Sequence, residues 1–593
     1  MPTSSSGPSA ATHSPARRRP ASDDTRTPAT SDGASIPRSS GTSSLVVPGV
    51  STSASAYATT AALRSRHSLY GTEDRIVLDL GSTVWKVGFS GEPSPRACLS
   101  VDAMLARLPG QEAATAGHDS HLWSLDKSEP DAVEWNVKEE FMRRCLRRVW
   151  HEVFMLDAKS RKVVIVENAM VPVRIKEMMA RVLFDNLQVP SVVHVPAPLT
   201  SLIACGTVTG LVVDCGHLES TVVPVFAGRP MFTNMSTTPR AGKRLKRRLK
   251  ALLLMFGSYA RPPSSLLSTA RPTVSRIPRD VLTTELLDQI ITRMCFVGDQ
   301  PRTSLETDHD DEPMQIDAAE LDDLDENAGL LKQIEKQFAP LSAATSVSFA
   351  VPNLDRSPTS SGVGRGWIQI PGWIRERAAE ILFEDGDEDE RSLIETILDC
   401  VDKLPIDLRR PMASNVVVTG GTAMLPGLIP RLQDSVKLVL LGAHPPSPPD
   451  TPPEPAHHSL AHSSDSSTQT GSDSYRRTVR RLKAFRARSR YANLAPLANY
   501  VAILNNPSIW HHRDDSTARS GCAPAFTPAL LPWIGASLAG ALKIGGAEIG
   551  RETWDSIADE LSRTASQQTV QGQDDRRTDL LPTLIPDWTR TLC

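Results

Sequence analysis

Three segments of the chain place a hydrogen-bonding or anionic side chain at the end of an apolar run and follow it with glycine. They are Ile76-Val77-Leu78-Asp79-Leu80-Gly81-Ser82-Thr83, Leu211-Val212-Val213-Asp214-Cys215-Gly216 and Val416-Val417-Val418-Thr419-Gly420-Gly421-Thr422. Turns with glycine let backbone N–H groups converge on an anion, and a neighbouring hydroxyl adds a donor. An aspartate at a strand end can hold magnesium through water. Phosphate with a divalent ion is the chemistry this set suits. Each segment alone also fits a capped tight hairpin, so order and surroundings must decide.

Such turns need strands to carry them and helices to cover those strands. Residues 76–78 and 85–89 read as a strand and its return. From Val137 the apolar positions Val137, Phe141, Cys145, Val149 and Val153 recur at helical spacing. A strand is expected over 163–166, a helix over 175–187, a strand over 191–195, a short helix over 199–204 and a strand over 211–213. Strands alternating with helices indicate an α/β architecture.

Composition limits the remainder. The chain has 593 residues, 40% of them apolar, and a net charge of −3. That length accommodates one large two-lobed domain with insertions. Nothing global points to nucleic acid or an anionic membrane. The eight cysteines form no Cys-x-x-Cys pair, which argues against a zinc ribbon and fits free thiols in a reducing compartment. No stretch is long and apolar enough for a membrane-spanning helix, and no secretory signal is legible. The expectation is a cytoplasmic protein.

Residues 1–72 are rich in Ser, Thr, Ala and Pro and are expected to be disordered. An acidic insertion is expected over 299–366, mostly disordered but with a helix over 330–338. A second insertion, rich in Pro, Ser and His, is expected over 444–476. Loop-closure cost rises slowly with length, so surface insertions of this size are tolerated. The acid run and the histidines at 457, 458 and 462 are read as solvated loop rather than as a docking site or a metal site. The ordered pieces are then 73–298, 367–443 and 477–593.

The surroundings of the three turns are specific. Asp79 to Thr83 continues as Val84-Trp85-Lys86-Val87-Gly88-Phe89-Ser90-Gly91-Glu92-Pro93-Ser94-Pro95-Arg96. This resembles the first phosphate loop of the actin family and its trailing Lys-x-Gly-Phe-x-Gly-x-x-x-Pro-Arg signature. Asp214-Cys215-Gly216 with Val223-Pro224-Val225-Phe226-Ala227-Gly228 resembles the second loop. Asn415 onward, through Thr419-Gly420-Gly421-Thr422-Ala423-Met424, looks like the adenosine segment. Trp533-Ile534-Gly535-Ala536-Ser537 is similar to a segment near the actin C-terminus. Within the family, Lys162-Val163-Val164-Ile165-Val166-Glu167, Arg181-Val182-Leu183-Phe184, Val189-Pro190-Ser191-Val192 and Val213 to Ser220 resemble the actin-related proteins at the pointed end of dynactin. So does Ile585-Pro586-Asp587-Trp588-Thr589-Arg590.

That resemblance implies the fold shared by actin, Hsp70 and sugar kinases, with two lobes around a nucleotide cleft. It implies that Asp79, Gly81, Ser82, Thr83, Lys86, Asp214 and Gly216 face phosphates, with Mg near Asp79 and Asp214. Thr419, Gly420, Gly421 and Met424 would lie near the nucleoside. ATP or ADP with Mg would be held structurally rather than turned over. Ala197 falls where actin has its water-orienting glutamine. His217 and Leu218 replace an aspartate and a glycine, and Ile291 and Thr292 replace the Lys-Glu pair that holds the base. The excursion over about 99–131, which matches actin's second subdomain, is shorter than in actin. Implied partners are the actin-related protein 1 filament and the other dynactin pointed-end subunits, with dynein indirectly, and neither nucleic acid nor membrane insertion. The basic run Arg240-Ala241-Gly242-Lys243-Arg244-Leu245-Lys246-Arg247-Arg248-Leu249-Lys250 keeps two alternatives open. It suits a nuclear actin-related protein of a chromatin-remodelling complex, or a solvated helix of the fold. A weak actin-like ATPase is the third alternative.

Overall fold

The computed structural model describes residues 75–105, 123, 135–261, 274–300, 328–351, 366–384, 390–442, 490–507, 527–543, 546 and 548–557. The tail over 1–72, nearly all of 99–131 beyond Leu105, the acidic run, the stretch over 444–476 and the segment 585–590 lie outside these residues.

The first lobe grows from β1 (Ile76–Leu80), a fully buried run paired antiparallel with β2 (Val84–Phe89), which in turn pairs β3 (Ala97–Ser100). On its other side β1 runs parallel to β4 (Val163–Glu167), and β4 runs parallel to β5 (Ser191–Pro196). Parallel strands are covered on both faces, which explains why Val163 to Val166 are apolar without alternation. The helix Trp135–Arg148 buries Phe141, Met142, Cys145 and Leu146 against this sheet's core; Phe141 and Cys145 are at the expected spacing, whereas Val137 in the first turn is exposed. It widens into a π-helical turn, Val149–Phe154, that ends at Met155 with a left-handed φ of 50°. The helix expected over 175–187 is Val173–Arg181 followed by a second π-helical turn, Val182–Asn186.

The second lobe repeats the plan. β6 (Gly210–Cys215) makes a hairpin with β7 (Ser220–Phe226), flanked by β8 (Arg229–Pro230) and β9 (Ser236–Thr238). A four-stranded antiparallel sheet follows, built from β10 (Ser258–Ala260), β11 (Val274–Arg276), β12 (Val347–Val351) and β13 (Gly366–Ile370) in the order β11-β10-β13-β12. β12 and the helix Ala328–Phe338 lie inside the stretch expected to be an insertion. That stretch therefore contributes a core strand, because Phe349 and Val351 alternate inward, and a helix burying Leu331, Ile334 and Phe338. β14 (Val416–Thr419) runs parallel to β6. Each lobe thus places a hairpin beside a parallel strand.

The basic run forms the helix Gly242–Phe256. Lys246 and Arg248 are buried; Lys246 meets Asp288 at 2.7 Å, and Arg248 makes a two-pronged pair with Glu384 at 2.5 and 2.8 Å. Arg244 pairs with Glu390. Leu245, Leu249 and Leu252 form its inner stripe.

Two helices join the lobes. Ala197–Ala204 follows β5, and Leu531–Ala541 lies against it so closely that a Cβ at Gly535 would overlap the Thr200 carbonyl. Trp533, wholly buried, donates from Nε1 to the Val77 carbonyl at 3.2 Å. β15 (Glu548–Gly550) then pairs antiparallel with β5 at the edge of the first sheet.

Candidate functional site

The pairing of β1 with β2 places Asp79 opposite Lys86, and their side chains meet, Nζ to Oδ2, at 2.6 Å. Asp79 is buried. The hairpin tip, Gly81 to Thr83, turns so tightly that a Cβ on Gly81 would come within 2.8 Å of the Val84 carbonyl. Behind this tip, buried Trp123 donates its indole N–H to the Gly81 carbonyl at 3.2 Å.

In the second lobe, Asp214 stands beside Thr419 across the β6–β14 pair. Its carboxyl is raised to about 6 by burial and by the charge of Asp79, with Lys86 pulling the other way. Glu219 is raised further, to about 7, first by burial and then by Asp214. The β6–β7 hairpin closes with Gly216 N–H donating to the Glu219 carbonyl at 3.1 Å, leaving His217 and Leu218 at the tip. The third turn is bolted to this hairpin. Thr422 Oγ1 donates to the Gly216 carbonyl at 2.7 Å, and Gly420, with φ of 100°, lies where a Cβ would stand 2.5 Å from Asp214 Oδ1. Only glycine combines that φ with that approach.

Two strand–hairpin units thus face each other with Asp79, Lys86 and Asp214 between them. The actin family model matches residues 71–447. The chain belongs to the actin family.

Actin-fold proteins commonly bind ATP or ADP with Mg, and the ends of this cleft suit that ligand unequally. At the phosphate end, Asp214 is raised above all by burial, and Asp79, which pairs with Lys86, adds to the rise. A divalent cation would compensate two carboxylates held out of water, so the fit is good. Gly81, Ser82, Thr83, Lys86 and Gly216 are the residues that would meet phosphates. At the nucleoside end the expected set divides. Thr419 is buried and spends its hydroxyl on the Pro528 carbonyl at 2.8 Å, and Gly420 is occupied by the approach to Asp214. Gly421 has open space around it and Met424 is 43% exposed, so these two remain available to a ligand.

The actin positions that serve hydrolysis and base binding are built into packing here. Ala197 is buried and begins the joining helix, its carbonyl accepting from Thr200 Oγ1 at 3.0 Å and Ser201 Oγ at 2.8 Å. Leu218 packs against the first-lobe core. Ile291 packs against the second-lobe core, and Thr292 turns its hydroxyl back to the Asp288 carbonyl.

Four further residues shape the site without having been singled out from sequence: Thr422, Glu219, Gly242 and Trp123. The first three lie within segments quoted above, though not for this role. Gly242 sits where a Cβ would come 2.8 Å from Thr422 Oγ1, and its N–H donates to the Gly216 carbonyl at 3.1 Å. Trp123 lies in a stretch with no periodicity, and its role depends on a contact 42 residues away.

Proposed function

We propose that this actin-family chain is a structural, non-hydrolysing subunit resembling actin-related protein 10, and that it caps the pointed end of the dynactin mini-filament. In this role it supports dynein-dependent transport along microtubules in the cytoplasm. The observation that carries the proposal is the fate of the positions aligned with actin's water-orienting glutamine, second-loop glycine and base-holding lysine: Ala197, Leu218 and Ile291 are apolar and packed. Phosphoryl transfer is mostly positioning and charge stabilisation, so a site without a water-orienting side chain gives little turnover. Asp79 and Asp214 would hold Mg beside a structural ATP or ADP.

Docking to filament subunits needs an exposed face. Leu538 on Leu531–Ala541 and Leu542, the residue that caps its C-terminus, lie one turn apart, 43% and 58% exposed, and Val208 is 51% exposed at the turn after the partnering helix. Apolar side chains at this spacing suit a complementary subunit face in a head-to-tail contact. Arg244, Lys246 and Arg248 are committed to acids within the fold, which takes three cations from the basic patch that the nuclear alternative needs.

A pulldown with purified actin-related protein 1 tests the proposal. Wild type should bind, and Leu538→Asp combined with Leu542→Asp should remove binding while the circular dichroism spectrum is kept. Binding to a chromatin remodeller in place of actin-related protein 1 would overturn it. So would phosphate release that depends on Asp214.

A further inference from the structure

Each of the two hairpin tips that flank the cleft has a side-chain tie to the first-lobe core. On the first tip, Trp123 donates to the Gly81 carbonyl while its ring is buried in the first-lobe core. On the second tip, Leu218 packs against that same core. Among the described residues in or against this core, Leu218 is the one supplied by the second lobe's hairpins. Every other contributor comes from residues 76–192 or from the 549–554 segment that returns to β5. The lobes otherwise meet through apolar clusters around the two joining helices, one containing Val77, Val195, Ala197 and Trp533, the other Leu202, Val212 and Leu531.

We propose that Leu218 is a pin between the lobes, a positioning residue that holds the two tips together with no phosphate bridging them. A turn that only cradled an anion would keep its tip small or polar. A leucine there is stabilised in proportion to the apolar surface it hides from water. That gain is available only when the tips are close. Trp123 gives the pin a firm seat, since its hydrogen bond fixes the first tip on the core that receives Leu218. The cleft is thereby closed by the chain itself, and a nucleotide becomes an occupant of a closed site rather than its clasp. The part of the inference that concerns nucleotide rests on the nucleotide reading given above; the pin does not.

Hydrogen exchange on the full chain separates the two. Protein is stripped with EDTA and charcoal, and exchange at amides 80–84 and 216–219 is compared with and without Mg·ADP or Mg·ATP. Wild type should show the same tip protection in all three states. Leu218→Gly, stripped, should exchange about tenfold faster at both tips, with amides of β6 and β14 unchanged, and Leu218→Met should behave as wild type. Should Leu218→Gly fail to fold, Leu218→Ala is measured in the same way, with a smaller acceleration expected. Faster exchange in the variant that Mg·ADP does not reverse supports the pin and removes the nucleotide. Wild-type tips that are protected only when nucleotide is bound, or variant tips that exchange like wild type, overturn the pin.

Discussion

Glu219→Gln should stabilise the metal-free protein at pH 8 and leave it nearly unchanged at pH 5. Burial and the neighbouring Asp214 raise the Glu219 carboxyl from its ordinary 4.5 to about 7. The folded chain therefore keeps a proton that the unfolded chain gives up. Stability falls as pH rises through the window from 4.5 to about 7, because the folded state binds more protons across it. Tenfold in proton affinity is worth about 1.4 kcal/mol, so the ceiling on the loss is about 3 kcal/mol. Glu219 is only partly buried at the hairpin, and solvent screening reduces the effect to about 1–2 kcal/mol. Glutamine keeps the shape and removes the charge. The assay is urea unfolding followed by tryptophan fluorescence in EDTA, at pH 5 and pH 8. An equal effect at both pH values, or a variant less stable than wild type at pH 8, would refute the electrostatic account.

Other perturbations probe the frame around the cleft. Gly420→Ala should cost about 3 kcal/mol or more in urea unfolding, from its φ of 100° and the approach to Asp214. Gly421→Ala, with open space around it, should stay within about 0.5 kcal/mol and serves as the control. Arg248→Ala should cost about 1.5–3 kcal/mol by removing a buried guanidinium from its two-pronged pair with half-buried Glu384. Lys250→Ala, on the exposed face of the same helix, should cost less than about 0.5 kcal/mol, and equal losses for the two would contradict the packing described.

Much of this architecture can be read in the chain because the local signals agree with the fold. The apolar runs ending at Asp79, Asp214 and Thr419 become β1, β6 and β14, and the helical spacing from Val137 becomes a helix. What the sequence hides is set by distant partners. β12 looks like part of a loop because Val347 to Val351 alternate over only five residues in a polar neighbourhood; pairing with β13 makes them a strand. Thr419 looks available to a ligand until Pro528, 109 residues on, accepts its hydroxyl. The cations of Gly242–Phe256 look like a free basic patch because Glu384 and Glu390 lie well over a hundred residues away in sequence. Leu218 reads as a lost glycine, and only the first-lobe core shows what was gained.

The return of the C-terminal segment to the first lobe sets an order of events during synthesis. Trp533 fills the space beneath β1 and donates to Val77, 456 residues earlier, and β15 supplies the last strand of the same sheet. At about 5–20 residues per second, the ribosome takes ~20–90 s to make the chain between them. From the time each is made until these segments arrive, β5 presents a bare edge and Val77, Val164 and Val193 lack their cover. The second lobe's β6, β7 and β14 are all translated before Trp533, so that lobe can close first. The nascent first lobe must meanwhile be shielded from pairing with neighbouring chains, and a deletion that removes residues 531–550 is expected to leave it aggregation-prone rather than merely shortened.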